Sequence, residues 1–287
     1  MEEIRVSYSG KPGAYSEEAL FKFSSQLVSK FEPVSKSNFR DLFESIEKDT
    51  GIGVVPIENS SAGSVVECYD LFFEYDFEII SELYLKINHV LAVKPEINSI
   101  SDLDTILSHP QALYQCSKFI ESKGLNSRQS TDTAQAAKEV YESKDRSLCA
   151  ISSQRAANYY GLKTLRTQIQ DQGSNTTRFL LVKKKGTSFS FEKTLERGNK
   201  STLIFETRDI PSALYKALGG FATNGVNLKK IESRPKRSTQ GFKPIFYIDF
   251  EGNLEDSEVK RALEELEFFS ELIILLGSYS NASNEEN

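Results

Sequence analysis

The length, composition and charge of this chain limit the classes of protein to which it can belong. Its 287 residues are enough for two domains, because a single hydrophobic core rarely grows beyond roughly 250–300 residues. Charged residues make up 26% and hydrophobic residues 39%, and the net charge of −6 argues against a nucleic-acid-binding surface. No signal-peptide pattern precedes the first predicted strand, so we expect a cytoplasmic protein that binds neither nucleic acid nor membrane.

The N-terminal part alternates predicted strands, polar loops and helices. Apolar residues at every second position predict strands, and spacings of three and four predict helices. In chain order we predict a strand at 4–8, a helix capped by Ser16, a helix at 38–46, a strand at 52–55 ended by Pro56 and a helical run at 65–73. Two β-rich runs at 77–93 then lead into a second lobe, from which the chain returns near 164–176.

The second lobe repeats this order of elements. We predict a helix at 112–122 after His109 and Pro110, and a helix through Tyr141 that Ser130-Thr131-Asp132 opens. A strand at 148–151 follows, and then a helix opened by Ser152-Ser153 and closed by Gly161. Regular alternation of this kind predicts parallel sheets with helices on both faces.

Five polar loops, at Ser16, Ser60, His109, Ser130 and Ser152, are predicted helix N-termini. Helix N-termini carry unpaired N–H groups and positive partial charge, so a cleft where several converge predicts a site for a small carboxylate or phosphate. Taken singly, each loop is equally typical of an ordinary helix cap. Neither GxGxxG after a strand nor GxxxxGK[ST] occurs, so we expect the anion to be a substrate rather than a cofactor.

The cysteines and histidines of the sequence do not have the spacing of a metal site or a disulfide framework. Cys68, Cys116 and Cys149 are far apart, and only His89 and His109 could join them. No pair has the short spacing of zinc ligands, so we expect buried reduced thiols and no metal.

The stretch Asn175–Val182 runs from a polar segment into four apolar residues, as a fully buried strand does. Its polar start would lie at the edge of the sheet, where α/β proteins place their binding sites. Thr177 and Arg178 are therefore candidate site residues, and the alternative is that they only bond to neighbouring loops.

The C-terminal part has a different order of elements. Residues 184–200 are charged and turn-rich, so we predict a linker there after a first domain at 1–183. Strands at 201–206, 227–231, 245–250 and 272–279, with helices at 212–221 and 259–268, give a βαββαβ order, which is ferredoxin-like. The polar residues 281–287 are expected to be disordered.

Six stretches, taken in order, resemble those of monofunctional prephenate dehydratases. They are Gly10–Ser16, Val55–Ser60, His109–Cys116, Ser130–Ala134, Tyr160–Leu162 and Asn175–Phe179. Glu232-Ser233-Arg234-Pro235 is similar to the effector motif of the family's ACT domain. The chain departs from the family at Gly13-Ala14-Tyr15-Ser16, where Gly-Thr-Phe-Ser is more usual, and at Ser212-Ala213-Leu214, where Gly-Ala-Leu is usual.

The resemblance implies an α/β fold with a two-lobed catalytic domain, similar to periplasmic binding proteins in having parallel or mixed sheets and a cleft, followed by a ferredoxin-like ACT domain at 201–280. It implies four catalytic residues, Thr177, Glu58, Asn59 and Ser60. The implied substrate-binding residues are Arg178, Phe179, Asn175, His109, Gln115, Ser130 and Thr131. The implied effector-binding residues are Ala213, Leu214, Asn224, Gly225, Asn227, Leu228, Glu232, Ser233, Arg234 and Pro235. It further implies L-phenylalanine as effector and a homodimer or homotetramer.

The family's reaction, a step of phenylalanine biosynthesis, removes carbon dioxide and hydroxide from prephenate to give phenylpyruvate. Aromatisation drives the reaction, so it needs no metal or cofactor, and a hydrogen-bond donor at the leaving oxygen assists it. The resemblance implies that Thr177 is this donor. Glu58 is either an acid with a raised pKa or a residue that holds a donor in place, and His109 either binds substrate or caps its helix.

Arg178 follows Thr177 directly, so in an extended segment its side chain points to the opposite face. Either the chain bends and both residues reach the ligand, or Arg178 supports the site from behind. Two alternative functions remain: dehydration of arogenate instead of prephenate and, more distantly, non-catalytic binding of a small anion.

Overall fold

The structure is a computed structural model that describes residues 3–23, 30–189, 197–238 and 241–280, with the backbone alone at 237–238 and 241–242. The predicted tail at 281–287 and the middle of the predicted linker, 190–196, lie outside the described residues. By their contacts the described residues form two units. The N-terminal unit contains 3–23, 30–65 and 84–179, and the C-terminal unit contains 66–83 and the described residues from 180 to 280.

The helices and strands have the following bounds. The strands are β1 (Ile4–Ser9), β2 (Phe31–Lys36), β3 (Ile52–Asn59), β4 (Gly63–Ser64), β5 (Phe77–Lys86), β6 (Val90–Val93), β7 (Thr105–Ser108), β8 (Asn126–Gln129), β9 (Leu148–Ser152), β10 (Lys163–Arg166), β11 (Thr176–Lys184), β12 (Lys200–Thr207), β13 (Leu228–Ser238), β14 (Gly241–Glu251) and β15 (Ser270–Tyr279). The α-helices are α1 (Tyr15–Phe23), α2 (Phe39–Ser45), α3 (Val66–Glu74), α4 (Pro110–Gln115), α5 (Ser117–Lys123), α6 (Thr133–Glu142), α7 (Gln154–Tyr159), α8 (Ala213–Thr223) and α9 (Ser257–Phe269). None of the described helices is long and apolar enough to cross a membrane.

The first sheet has the order β2-β1-β3-β11-β5, with β4 paired to β3. β1 is parallel to β2 and to β3, as a strand-loop-helix repeat requires. β3 and β11 lie side by side, which brings the end of β3 close to the start of β11. Both strands are almost completely buried along their apolar runs.

The second sheet has the order β10-β6-β9-β7-β8 and is mixed. β7 is parallel to β8 and β9, whereas β6 is antiparallel to β9 and to β10. The sequence pattern predicted parallel pairing, which a strand-helix-strand unit within one sheet imposes. β6 does not enter through such a unit, because the preceding strand, β5, belongs to the first sheet. Successive residues of β7 face opposite cores: Leu107 belongs to the core that contains Val140 of α6, and Ile106 to the core that contains Ile120 of α5.

Two predicted boundaries in the N-terminal unit were wrong. Pro56 does not end its strand, because the pairing of β3 with β1 stops at Val54 and a missing N–H at position 56 costs no bond on that side. The predicted helix at 112–122 is two helices, α4 and α5, interrupted at Cys116. The carboxylate of Asp171 accepts hydrogen bonds from the Ser117 hydroxyl and the Lys118 backbone N–H, so it supports the start of a new helix there.

Three of the five predicted helix N-termini are present, and at one of them His109 caps its helix, accepting from the Gln111 N–H through Nδ1. Ser16 lies inside α1, and Ser60 lies in the β3–β4 turn, ahead of any helix. α6 and α7 begin in the predicted stretches Ser130-Thr131-Asp132 and Ser152-Ser153. The caps there are Asp132 and Ser153, whose side chains accept from backbone N–H groups of α6 and α7. These side chains reach the N–H groups of the first helical turn from the Ncap position itself.

The C-terminal unit has the predicted βαββαβ order, β12-α8-β13-β14-α9-β15. Its sheet has the order β13-β14-β12-β15 and is antiparallel throughout. Phe205, Phe221 and Phe250 form the centre of its core, with α8 and α9 packed on the sheet. α3 and the first part of β5 also belong to this unit, although residues 84–179 separate them from the rest of it in sequence.

Specific contacts attach α3 and β5 to the C-terminal unit. Arg234 on β13 bonds both carboxylate oxygens of Asp70 on α3, at 3.0 and 3.1 Å. The buried Lys200 Nζ lies 3.0 Å from a carboxylate oxygen of Glu82 on β5. The predicted division at residue 183 stays a prediction, but these contacts show that residues 66–83 pack with the C-terminal elements.

Candidate active site

Asn59 at the end of β3 joins the polar start of β11. Its side-chain amide Nδ2 lies 2.9 Å from Thr177 Oγ1 and 2.7 Å from Asn175 Oδ1. The amide orientation is fixed from the other side, because Asn59 Oδ1 accepts the backbone N–H groups of Ser61 and Ala62, each at 2.9 Å. An amide NH₂ can only donate, so Thr177 Oγ1 accepts this bond and its own O–H is left to donate elsewhere.

Ser60 holds the turn after β3 against the first residue of β11. Its hydroxyl donates to the Ser174 carbonyl at 2.9 Å and accepts from the Thr176 N–H at 2.9 Å. Its backbone N–H also donates to the Thr176 carbonyl at 2.8 Å. The hydroxyl proton of Ser60 is therefore engaged in the bond to the Ser174 carbonyl and is not left to donate to a ligand.

Arg178 points away from Thr177, as the alternation of side chains along a strand requires. Its guanidinium Nη1 lies 3.1 Å from Glu58 Oε1, and its side chain is only 3% exposed. Phe179, on the same face of β11 as Thr177, is buried in the core at 2% exposed. Strand geometry left two positions open for Arg178, and the resemblance implied substrate binding. Its guanidinium lies beside Glu58, and its role as a substrate contact stays a prediction.

A second arm of the site consists of the hydrogen-bonded side chains of Asn175, Gln115, His89 and Tyr15. The sequence did not identify His89 as a site residue. Asn175 Nδ2 donates to Gln115 Oε1 at 2.9 Å, and His89 Nε2 lies 3.0 Å from the same oxygen. His89 Nδ1 lies 3.0 Å from the hydroxyl of Tyr15, whose single proton is also within reach of the Asn88 carbonyl oxygen, at 2.8 Å. Because a carboxamide oxygen only accepts, Nε2 must carry the proton. Asn59, Asn175, Gln115 and His89 thus form one hydrogen-bonded chain that ends at Thr177.

Burial sets the protonation of this arm. His89 is 2% exposed, and burial lowers its pKa below the ordinary 6.5, against the opposing effect of the Gln115 bond. Burial also raises the pKa of Tyr15 well above its usual range. His89 is therefore neutral and Tyr15 keeps its proton at neutral pH.

A cavity of about 290 Å³ opens beside this chain of side chains. Its walls include Gln115 and Asn175, together with Ser61, Tyr114, Lys118 and Asp171. The volume is close to the lower end of small-molecule sites, roughly 300–1,000 Å³. The cavity offers amide and hydroxyl groups, one cation and one anion, which suits a small polar ligand with a carboxylate.

The other three predicted substrate-binding residues lie outside the chain of hydrogen bonds. His109 caps α4, and burial lowers its pKa. The Ser130 hydroxyl donates to Glu139 Oε1 at 2.7 Å, and Thr131 is exposed. Their roles as ligand contacts stay predictions.

The predicted effector residues lie in the C-terminal unit, at the start and end of α8 and on β13. Ala213 and Leu214 begin α8, whose preceding residue Ser212 has φ +63° and makes no capping bond through its side chain. The remaining residues are Asn224, Gly225, Asn227 and Leu228 between α8 and β13, and Glu232, Ser233, Arg234 and Pro235 along β13. Asn224 donates to the Gly220 carbonyl and to Glu265, and Asn227 donates to Glu251.

Relatives in sequence match nearly the whole chain. The sequence profile of the prephenate dehydratase family matches residues 6–187. A prephenate dehydratase of Methanocaldococcus jannaschii is 40% identical over 276 residues, covering 96% of this chain and 97% of that protein. Arogenate dehydratase/prephenate dehydratase 1 of Arabidopsis thaliana is 37% identical over 291 residues, covering 96% of this chain and 72% of that protein.

Two solved structures share the fold over a similar length. GqqA, described as a novel type of quorum quenching acylase, has a TM-score of 0.85 and 32% identity and covers 99% of this chain and 100% of its own. The prephenate dehydratase of Arthrobacter aurescens in complex with L-Phe has a TM-score of 0.84 and 30% identity, covering 97% of this chain and 90% of its own. These matches confirm the predicted α/β fold. With a family profile that spans more than half of its length, the chain belongs to the prephenate dehydratase family of hydro-lyases.

Proposed function

We propose that the protein converts prephenate to phenylpyruvate in phenylalanine biosynthesis and that the Thr177 hydroxyl stabilises the departing hydroxide. The observation that carries this proposal is the bond from Asn59 Nδ2 to Thr177 Oγ1, which makes the threonine oxygen an acceptor and leaves its O–H as a donor. A donor that is already oriented before the reaction stabilises charge only as it develops on the leaving oxygen.

The reaction needs no activated nucleophile. The bond between the ring and its carboxylate breaks, the electron pair moves through the ring, and the hydroxyl group leaves with its bonding pair. Prephenate dianion thus gives carbon dioxide, hydroxide and phenylpyruvate monoanion, and solvent protonates the hydroxide. A threonine hydroxyl is too weak an acid to give up its proton, so Thr177 supplies a hydrogen bond.

The position of Arg178 fits this chemistry. A cation at the ring carboxylate would stabilise the starting ion and oppose loss of neutral carbon dioxide. Arg178 is next to Thr177 in sequence, yet its charge lies on the other face of β11, 3.1 Å from Glu58. We assign Glu58 and Arg178 to holding the strand ends in place, and Ser60 to fixing the turn.

Arogenate is the second candidate substrate, and one feature of the cavity favours it. Arogenate carries an ammonium group where prephenate has a ketone, and the Asp171 carboxylate lies in the cavity wall. One oxygen of Asp171 accepts from Ser117 and from the Lys118 N–H. The other oxygen makes no bond within the described part of the chain and could accept from an ammonium.

The geometry does not favour an acylase. An acylase nucleophile passes its hydroxyl proton to a base, so a partner must accept from it. The partner of Thr177 is the Asn59 amide NH₂, which donates. The hydroxyl is thus arranged to give a hydrogen bond and not to attack a carbonyl carbon.

We further propose that L-phenylalanine regulates the enzyme through the C-terminal unit as an ACT domain, in a cytoplasmic homodimer or homotetramer. The βαββαβ order supports this, as does the L-Phe complex of the Arthrobacter aurescens relative. The chain passes between the two units at 65/66, 83/84 and 179/180, so Thr177 lies within three residues of one crossing. An effector could act through these crossings if its contacts differ between two states.

The test compares kcat/KM for prephenate and arogenate by following phenylpyruvate and phenylalanine. We expect a higher kcat/KM for prephenate. The Asp171→Asn variant should lower kcat/KM for arogenate more than for prephenate if the carboxylate binds the ammonium. Absence of either product at high enzyme concentration would contradict the proposed function, and acylase activity in its place would favour the activity described for GqqA.

A further inference from the structure

His89 is held at every polar atom, in a short link between β5 and β6. Its backbone N–H donates to Gln170 Oε1 at 3.0 Å, and its carbonyl accepts from the Ile169 N–H at 3.1 Å. Its ring bonds Gln115 through Nε2 and Tyr15 through Nδ1, each at 3.0 Å. The Tyr15 ring packs edge-on against the imidazole, with centroids 5.7 Å apart, so the plane of the His89 ring is fixed as well.

The two donors at Gln115 Oε1 determine which way the Gln115 amide points. Asn175 Nδ2 and His89 Nε2 both bond this oxygen, which has two lone pairs. If the amide were flipped, its NH₂ would face two N–H groups and both bonds would be lost. Gln115 lines the cavity, and its NH₂ makes no bond within the described residues, so it is the group left for a ligand.

The two donors to Gln115 Oε1, Asn175 and His89, are held in place by different neighbours. Asn175 is itself oriented by Asn59, because its Oδ1 accepts from Asn59 Nδ2 at 2.7 Å. His89 bonds the same oxygen, and its own orientation depends on Tyr15 and its backbone bonds. Loss of His89 leaves one donor to hold the Gln115 amide, which can then turn its oxygen toward the cavity.

We propose that His89 is a positioning residue, which as a neutral imidazole protonated on Nε2 keeps the Gln115 NH₂ directed into the cavity. Gln115 then donates to an oxygen of the substrate, a carboxylate or the side-chain ketone. This rests on the proposed function, since the substrate oxygen is that of prephenate. His89 itself touches no substrate in this proposal and acts through Gln115.

The experiment measures kcat and KM for prephenate in the full-length chain and in the variants His89→Leu, His89→Gln, Gln115→Leu and the double variant with both leucines. We expect His89→Leu and Gln115→Leu each to raise KM roughly three- to tenfold, the effect of losing one neutral hydrogen bond. The double variant should be no worse than either single one, because both remove the same donor. The glutamine side chain of His89→Gln carries an NH₂ near the position of Nε2 and should restore KM to within about twofold.

A matched control separates positioning from loss of stability. Ser7 is fully buried on β1 and bonds the hydroxyls of Ser45 and Thr50, so Ser7→Ala removes buried hydrogen bonds elsewhere in the same unit. The thermal midpoint of the Ser7→Ala variant should fall while its KM stays unchanged, since partial unfolding reduces only the amount of active enzyme.

Three results would overturn the positioning role: an unchanged KM in His89→Leu, multiplied effects in the double variant, or a His89→Gln variant as impaired as His89→Leu. ¹⁵N NMR spectra of the His89 imidazole show which ring nitrogen carries the proton, and they need no catalytic turnover. A proton on Nδ1 in place of Nε2 would also overturn the positioning role. A wild-type chain that binds no prephenate and makes no phenylpyruvate would contradict the proposed function instead. In that case the spectra still decide the orientation of the His89–Gln115 pair.

Discussion

Replacing Thr177 by valine isolates the contribution of one O–H group. Valine has nearly the same shape, so Thr177→Val removes the hydroxyl and leaves the strand intact. Asn59 Nδ2 loses its acceptor at 2.9 Å but keeps Asn175 Oδ1 at 2.7 Å, and Asn59 Oδ1 keeps both backbone donors. We therefore expect a loss of unfolding free energy of only about 1 kcal/mol.

The loss in catalysis should be much larger than the loss in stability. Removing one oriented donor from a transition state lowers kcat by about 10²–10³, or about 2.7–4 kcal/mol. The hydrogen bond strengthens only as hydroxide departs, so KM for prephenate should change by less than about threefold. Thr177→Ser keeps the hydroxyl and its bond from Asn59, and should retain kcat to within about tenfold.

The assay follows phenylpyruvate in single turnovers, so that product release does not mask the chemical step. Unfolding in urea, measured in parallel, shows how much of the enzyme is folded at the assay temperature. A loss in kcat of less than about tenfold for Thr177→Val would refute the donor role. So would a Thr177→Ser variant as slow as the valine variant.

Three further predictions concern the support of the site and the C-terminal unit. Arg178→Gln leaves Glu58 without this charged partner and should lower the thermal midpoint with little change in KM, whereas a raised KM at unchanged stability would place Arg178 on the substrate. Ser212→Gly should raise the unfolding free energy by about 1 kcal/mol, because Ser212 has φ +63° and caps nothing; lower stability in urea would contradict this. Asp70→Asn weakens the paired bonds to Arg234 and should change the L-phenylalanine concentration for half-inhibition at least about threefold, and an identical inhibition curve would argue against coupling through α3.

The sequence predicted the features that depend on local pattern. The apolar run after Arg178 predicted the buried strand β11, and the βαββαβ order of the C-terminal part appears as expected. β8 was missed because its four residues, Asn126–Gln129, are polar and exposed, and it is a strand only through backbone pairing with β7. No local pattern marks it.

The arm of the site around His89 could not be predicted for a different reason. His89 is 26 residues from Gln115 in sequence, and its role depends on a side-chain bond across that distance. A neutral buried histidine in a strand-rich segment has no distinguishing neighbours in the sequence. The one available signal was that the chain contains only two histidines, a small enough set to inspect individually.

The packing of α3 and β5 with the C-terminal elements bears on how this protein can be divided. A fragment that starts at β12 would lack Glu82, and Lys200, which is 5% exposed, would keep only Asp249 at 3.8 Å as a carboxylate partner among the described residues. It would also lack the backbone of Ile79, which packs so closely on Gly277 that a Cβ there would lie 2.7 Å from the Ile79 carbonyl oxygen. We therefore expect an excised C-terminal fragment to fold only when a peptide covering residues 66–83 is added back. A C-terminal unit transplanted onto another protein would have to carry that segment with it.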